Sequence, residues 1–266
     1  MTSTWKTKST ALRRSCAEFH RSTTRAWIKI KTSDTIKASI ERQGKSLDLV
    51  PTQDEVLALL RETGALQQGH FECLNGLHTD INLETAAAVR YYRHAKALSV
   101  GLSRKLRANS ELRALIPELS IVAATPAGLP VAYGLCEALR ARQVYWAEKE
   151  GKDVPMRFRQ FLEPVRGEKV VLVDDLLRSG MLLTEARQLL ESRGAQVVAM
   201  AVLVYQPTPQ TRSFGSLPLY CLAKLEASYY ADAGSCEFCR RNVPLHQVGI
   251  PRHVQKNGEL VTASPQ

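Results

Sequence analysis

No apolar run in this 266-residue sequence approaches the roughly 18–20 residues that a membrane-spanning helix needs. The N-terminus lacks the apolar core of a secretory signal. Cysteine is sparse, six in all, and only Cys236 and Cys239 stand close together. The spacing is no disulfide framework, and a reducing cytoplasmic setting is expected. Basic charge is also scarce over most of the chain, despite a formal net charge of +10. Residues 1–49 hold 11 Lys and Arg against 4 Asp and Glu, whereas the remaining residues hold 25 against 22. A body so near neutrality argues against a nucleic-acid-binding face. No internal repeat is present.

What remains is ordinary for a globular chain, with 44% hydrophobic and 23% charged residues and length enough for a full core. Residues 1–50 read as a basic leader rich in Ser, Thr, Lys and Arg. A disordered arm or a translation artefact fits them better than an organelle transit peptide. No methionine lies between Met1 and Met156, so a shorter product would need a non-AUG start, for instance at Val50. Residues 51–225 are expected to form one α/β domain. Residues 226–266 form a Cys-containing tail, polar and disordered from Gly249.

Order begins near Pro51. Thr52 and Glu55 have capping-box spacing, and Val56, Leu59 and Leu60 follow as a helical stripe. The segment from Gly69 to Asp80 reads as two short strands around Asn75-Gly76. Glu84 to about Leu106 reads as one long helix. Strands are expected at Ser120–Thr125, Gln143–Ala147, Val170–Val173 and Val197–Tyr205, with helices between them. That alternation predicts a parallel sheet covered on both faces.

The most informative stretch is Lys169 to Leu183. Val170 to Val173 form a strand buried on both faces, and the adjacent acids Asp174 and Asp175 follow where that apolar run stops. Arg178, Ser179 and Gly180 make a short loop, and a helix begins behind them. Ligands of open α/β sheets bind beyond the carboxyl ends of strands, and a helix N-terminus favours an anion. Paired acids beside such a cradle suit a polyhydroxylated phosphate ester. The turn Thr125-Pro-Ala-Gly-Leu-Pro130 offers a second glycine-bearing strand-to-helix loop, in which Gly128 would let backbone amides approach an anion. Glu148-Lys-Glu-Gly-Lys152 puts Lys149 and Lys152 on a charged loop, suited to a leaving group that gains negative charge.

These segments together resemble type I phosphoribosyltransferases, and the orotate branch in particular. The resemblance rests on the acid-pair strand, the Pro-x-Gly-x-Pro turn, the Glu-Lys-Glu loop with Met156-Arg157-Phe158-Arg159 behind it, and Gly69-His-Phe…Gly-Leu-His-Thr-Asp80. They run in order over about residues 53–206. It implies a Rossmann-like parallel sheet flanked by helices under a small N-terminal hood, and transfer from 5-phosphoribosyl 1-diphosphate (PRPP) to orotate with Mg²⁺. Asp174 and Asp175 would hold the ribose hydroxyls, and Arg178, Ser179 and Gly180 the 5′-phosphate. Ala127 and Gly128, with Lys149 and Lys152, would attend the diphosphate, and Arg157 would bind substrate. The lysine loop of the family reaches into a partner's site, which implies a homodimer.

The chain departs from the family pattern in several places. Threonine hydroxyls are missing at Arg178 and Met181, and a small residue is missing near Leu182. The loop histidine is Val154, the hood lysine aligns with Leu74, and the arginine that grips the orotate carboxylate falls at or beside Gln206. A non-catalytic PRPP-binding regulator, or a transferase with another acceptor, therefore stays open. Cys236 and Cys239 are candidate zinc ligands, with His246, His253 or Cys221 available to complete the set, and reduced structural thiols are the alternative.

Overall fold

The computed structural model describes residues 50–248, except Leu74, Lys152, Gln160 and Phe161, and the backbone of a short strand pair beyond them. The leader, the hood position Leu74, the loop lysine Lys152 and most of the polar end from Gly249 lie outside the described residues.

Thr52 caps helix α1 (Gln53–Glu62). Its hydroxyl accepts from the Glu55 amide at 3.3 Å, and the Glu55 carboxylate accepts from the Thr52 amide at 2.8 Å. The exchange satisfies two amides otherwise unpaired at the helix start. Strands β1 (Leu66–Glu72) and β2 (His78–Leu83) pair antiparallel around Asn75-Gly76. The expected single helix from Glu84 is broken into α2 (Ala86–Val89) and α3 (Tyr92–Ala108) by an extended Tyr91. Two demands divide it. Thr85 is held against Asp175, while α3 lays Leu98, Leu102 and Leu106 into the core.

Next come α4 (Ser110–Leu115), β3 (Ser120–Ala123), α5 (Leu129–Leu139), β4 (Val144–Glu148), β5 (Arg157–Phe158), β6 (Lys169–Leu177), α6 (Met181–Ser192), β7 (Gln196–Tyr205) and β8 (Leu219–Lys224). They build a six-stranded sheet in the order β5-β4-β3-β6-β7-β8, parallel throughout except at β4–β5. Side chains of β6 alternate between two cores. Val171 and Val173 join residues of α3 and α5, whereas Val170 and Leu172 join residues of α6. Each such buried aliphatic contributes about 1.5–3 kcal/mol. Strand β8 is not expected from the sequence. It is reached through a loop with no crossover helix, so the strand–helix alternation gives no sign of it.

Beyond β8, the segment expected to be a separate tail returns to the hood. Strand β9 (Tyr229–Tyr230) pairs with β2, helix α7 (Glu237–Arg240) follows, and β10 (His246–Gln247) pairs with β1. The hood is thus a four-stranded sheet ordered β10-β1-β2-β9. Two-residue strands leave no periodicity to read in a sequence. Strands β11 (His253–Val254) and β12 (Leu260–Val261) form an antiparallel pair. No described helix is long and apolar enough to cross a membrane.

Glu168, at the amino end of β6, ties that end of the sheet together. Its carboxylate accepts from Ser120 Oγ, from Gln143 Nε2 at 2.8 Å, from the Val165 amide at 2.9 Å and from the Tyr145 hydroxyl at 3.3 Å. Burial pushes its pKa up, but these donors outweigh burial and hold it below the usual carboxylate range. The depressed folded pKa gives stability that is present above the unfolded value and lost as pH falls through the folded one. Glu168→Ala is expected to cost roughly 2–3 kcal/mol at neutral pH. Urea unfolding at neutral and acid pH checks this, with the gap to the parent narrowing as pH falls through the depressed folded pKa.

Candidate active site

Pairing between β3 and β6 stops at Ala123 and Val173, but β6 continues beside β7 as far as Leu177 and Tyr205. Asp174 and Asp175 therefore lie within β6, not at its end as the apolar run suggested. They sit just past the end of the shorter neighbour β3, and both are buried. Thr125 Oγ1, in the turn after β3, donates to Asp174 at 2.6 Å, and the Asp175 amide donates to the same carboxylate at 3.1 Å. The Thr85 hydroxyl, just past β2, donates to Asp175. Burial first, and the neighbouring Asp175 charge second, push the Asp174 carboxyl well above the usual range.

A Cβ on Gly128 would stand 2.8 Å from Asp174 Oδ1 and 3.1 Å from its Cα. The glycine is thus required by the close approach of the Pro-Ala-Gly turn to the acid. Its own amide donates within the turn, to the Thr125 carbonyl at 3.1 Å and hydroxyl at 3.3 Å.

Across from the acids, Gly180 starts α6 in the left-handed region, with φ of 74°. No side chain caps the helix. The first backbone bond runs from Thr184 to the Gly180 carbonyl, and Met181 reaches only Ser179 Oγ at 3.4 Å. The first-turn amides are thereby left for an anion, with the helix dipole behind them. Both acids, Ala127, the Arg178–Gly180 loop and this first turn line one cavity of about 380 Å³, which Leu83 and Thr85 of the hood close. Met181, 54% exposed, and Leu182 stand at its rim, where the family pattern has a threonine and a small residue.

Three expected site residues are placed differently from the expectation. Arg178 lines the cavity, but its guanidinium does not turn to the helix end. Nε donates to Gln206 Oε1 at 2.9 Å, just past β7, and Nη2 to the Leu83 carbonyl of the hood at 2.6 Å. Lys149 does not line the cavity and pairs with Glu185 of α6 at 2.6 Å. Arg157 lies on β5, paired with Glu150, in a separate charged cleft with Arg159 and Glu163. Arg157 and Arg159 are met by Glu150 and Glu148 of the same hairpin, whereas Lys149 reaches across to α6. Thr85 and Thr125 were missed by the sequence reading. Thr125 could have been noticed as the residue entering the Pro-x-Gly-x-Pro turn, whereas nothing local marks Thr85.

Cys236 and Cys239 gather with His70 and His78, not with the partners proposed from the sequence. His246 is exposed on β10 and Cys221 packs beside the α6 core, while the His253 side chain lies outside the described residues.

The model of the phosphoribosyl transferase domain matches residues 115–214. An orotate phosphoribosyltransferase of Thermus thermophilus is 30% identical over 194 residues, covering 73% of this chain and all of the relative. Orotate phosphoribosyltransferase 2 of Mesorhizobium japonicum is 34% identical over 179 residues, covering 66% and 87%. The crystal structure of orotate phosphoribosyltransferase from Aeropyrum pernix shares the fold, with a TM-score of 0.51 and 20% identity over 64% of this chain and 93% of that one. Since the likeness to the Thermus protein runs the whole length of that relative and includes the acid-pair strand, the chain belongs to the type I phosphoribosyltransferase family and is a phosphoribosyltransferase.

Proposed function

We propose that the enzyme transfers the 5-phosphoribosyl group of PRPP to orotate, forming orotidine 5′-phosphate and pyrophosphate. The observation that carries this is the pair of buried carboxylates sharing one cavity with the open first turn of α6. Asp174 and Asp175 accept hydrogen bonds from the ribose hydroxyls, and the amides after Gly180, with Ser179, receive the 5′-phosphate. The donor is held by both ends, so its anomeric carbon is fixed for attack. As the bond to the diphosphate loosens, positive charge grows on the sugar, and the acid pair favours it. Asp174 and Asp175 would also hold Mg²⁺. The all-oxygen surroundings, with Thr85 and Thr125, suit that hard cation, which when bound neutralises charge on the diphosphate.

The likeness to proteins named orotate phosphoribosyltransferase supports orotate as acceptor, and Arg178 gives it a chemical basis. The family's acceptor arginine is replaced at Gln206, yet a guanidinium is still found there, contributed by Arg178. Two of its five N–H donors are used, so others remain for a carboxylate. The buried Tyr229 hydroxyl feels the Arg178 charge and makes no hydrogen bond of good geometry. Burial pushes its pKa up to about 12, which keeps it a donor. Arg178→Gln is expected to raise the KM for orotate on the order of tenfold or more. Donor affinity by calorimetry should hold, and a loss there instead would return Arg178 to the phosphate.

The Lys149–Glu185 pair is partly exposed and so is worth about 1 kcal/mol or less. A diphosphate can therefore compete for the ammonium. In a homodimer, Lys149 and Lys152 of one subunit would act on the partner's leaving group as the loop closes and excludes water. Lys149→Ala is expected to slow turnover on the order of tenfold or more, with little change in donor affinity.

The direct test mixes the protein with PRPP, Mg²⁺ and orotate and follows loss of orotate absorbance, beside a parallel reaction with adenine. Consumption of orotate supports the reading. Consumption of adenine alone moves the acceptor, and donor binding without turnover on any base points to a regulator.

A further inference from the structure

We propose that His70, His78, Cys236 and Cys239 bind a single zinc ion that pins the C-terminal segment to the hood. The four ligand atoms all lie within 4.8 Å of one another. His70 Nε2 is 3.4 Å from Cys236 Sγ and 3.6 Å from Cys239 Sγ, and Cys239 Sγ is 3.4 Å from His78 Nδ1. Tetrahedral zinc with its usual bonds to sulfur and nitrogen sets N···S separations of about 3.5 Å. The two ring nitrogens are 2.9 Å apart, a little closer than such an ion would hold them.

The hydrogen-bond arithmetic makes the case for a cation. His70 Nδ1 donates to the Val243 carbonyl at 2.9 Å, which leaves only a lone pair on Nε2. Three polar atoms then converge on that one lone pair: His78 Nδ1, Cys236 Sγ and Cys239 Sγ. One lone pair cannot serve three neighbours, but a cation at their centre serves all four ligands. A ring proton fixed by a backbone carbonyl is also the arrangement that orients histidine on a metal. Two thiolates and two imidazoles select zinc over the hard oxygen-seeking cations.

The surroundings are built and closed. His70, His78 and Cys236 are only 1%, 5% and 0% exposed. Phe238, between the two cysteines, stacks on His70 with centroids 5.5 Å apart. Short strands flank the cluster on both sides, β9 against His78 and β10 against Phe71. Four protein ligands leave no open position, so the ion is structural. None of the four lines the acid-pair cavity. Strand β2 nevertheless runs from His78 to Leu83, whose carbonyl holds Arg178, so the ion anchors one end of the strand that closes that cavity. Two-residue strands are too short to hold the returning segment by themselves.

The test uses the full chain purified under reducing conditions without chelator. Elemental analysis should find one zinc per chain, released when the thiols are titrated with a mercurial. Stripping with chelator should lower the unfolding midpoint, and stoichiometric zinc should restore it. Cobalt(II) in place of zinc should give the visible spectrum of a tetrahedral site with thiolate charge-transfer bands, a readout available even if ligand variants fold poorly. Cys239→Ser and His78→Ala should lose the metal, whereas His246→Ala should keep it. A chain without zinc that takes up neither zinc nor cobalt, or a Cys236–Cys239 disulfide in the native protein, would overturn the proposal. Metal lost from His246→Ala but kept by His78→Ala would overturn the ligand set.

Discussion

Asp175→Asn is expected to lower kcat/KM for PRPP on the order of a hundredfold while leaving the fold intact. Hydrogen bonds to a charged acceptor are worth about 1.5–3 kcal/mol, and a ribose hydroxyl would lose such a bond when the carboxylate becomes an amide. The amide keeps an oxygen for the Thr85 hydroxyl, so the link from hood to body survives. Asp175→Ala would be a poorer probe, because it strands that buried hydroxyl and mixes a stability loss into the result. Steady-state kinetics and donor calorimetry on the asparagine variant decide the matter. An unchanged donor affinity and an unchanged rate would remove Asp175 from the ribose site.

Asp174→Asn should do something different: reduce activity and make the protein more stable. The fold raises the pKa of Asp174, so above the unfolded value of about 3.9 the native state holds a proton that the unfolded chain has released. The unfolded state then binds fewer protons, and stability falls as pH rises from there through the folded pKa. At neutral pH, far above the unfolded value, the native state carries the cost of keeping that group buried. Asparagine avoids it and still accepts from Thr125 and from the Asp175 amide. The variant should therefore unfold at a higher temperature than the parent at pH 7, with the advantage gone near pH 4. Equal midpoints at neutral pH would mean that the acid is not strained by its site. A strained acid retained in a cavity is the stability cost of a working site.

The acid pair, the helix behind Gly180 and the Thr52 cap could all be read before any coordinates, because each is written within a dozen neighbouring residues. Val170 to Val173 are apolar on both faces, and that alone marks a central strand of a covered sheet. Beyond this local range, pairing and long side chains decide. The apolar run stopped at Val173, but pairing with β7 carries the strand on to Leu177, which moves both acids into the middle of an element. Arg178 follows the acids directly and was assigned to the phosphate beside it. Its long side chain instead finds buried acceptors 95 and 28 residues away.

The chain order and residue types determined the family, the parallel sheet and the chemistry of two adjacent carboxylates near a helix start. Hydrophobic period, caps and turns act over a few residues and need no knowledge of the whole. Folding alone decided which distant groups meet those carboxylates, Thr85 at one and Thr125 at the other, and that His70 and His78 face cysteines more than 160 residues away. Such partners are chosen by how sheet and hood pack, and a buried polar group takes whatever donor that packing brings within reach.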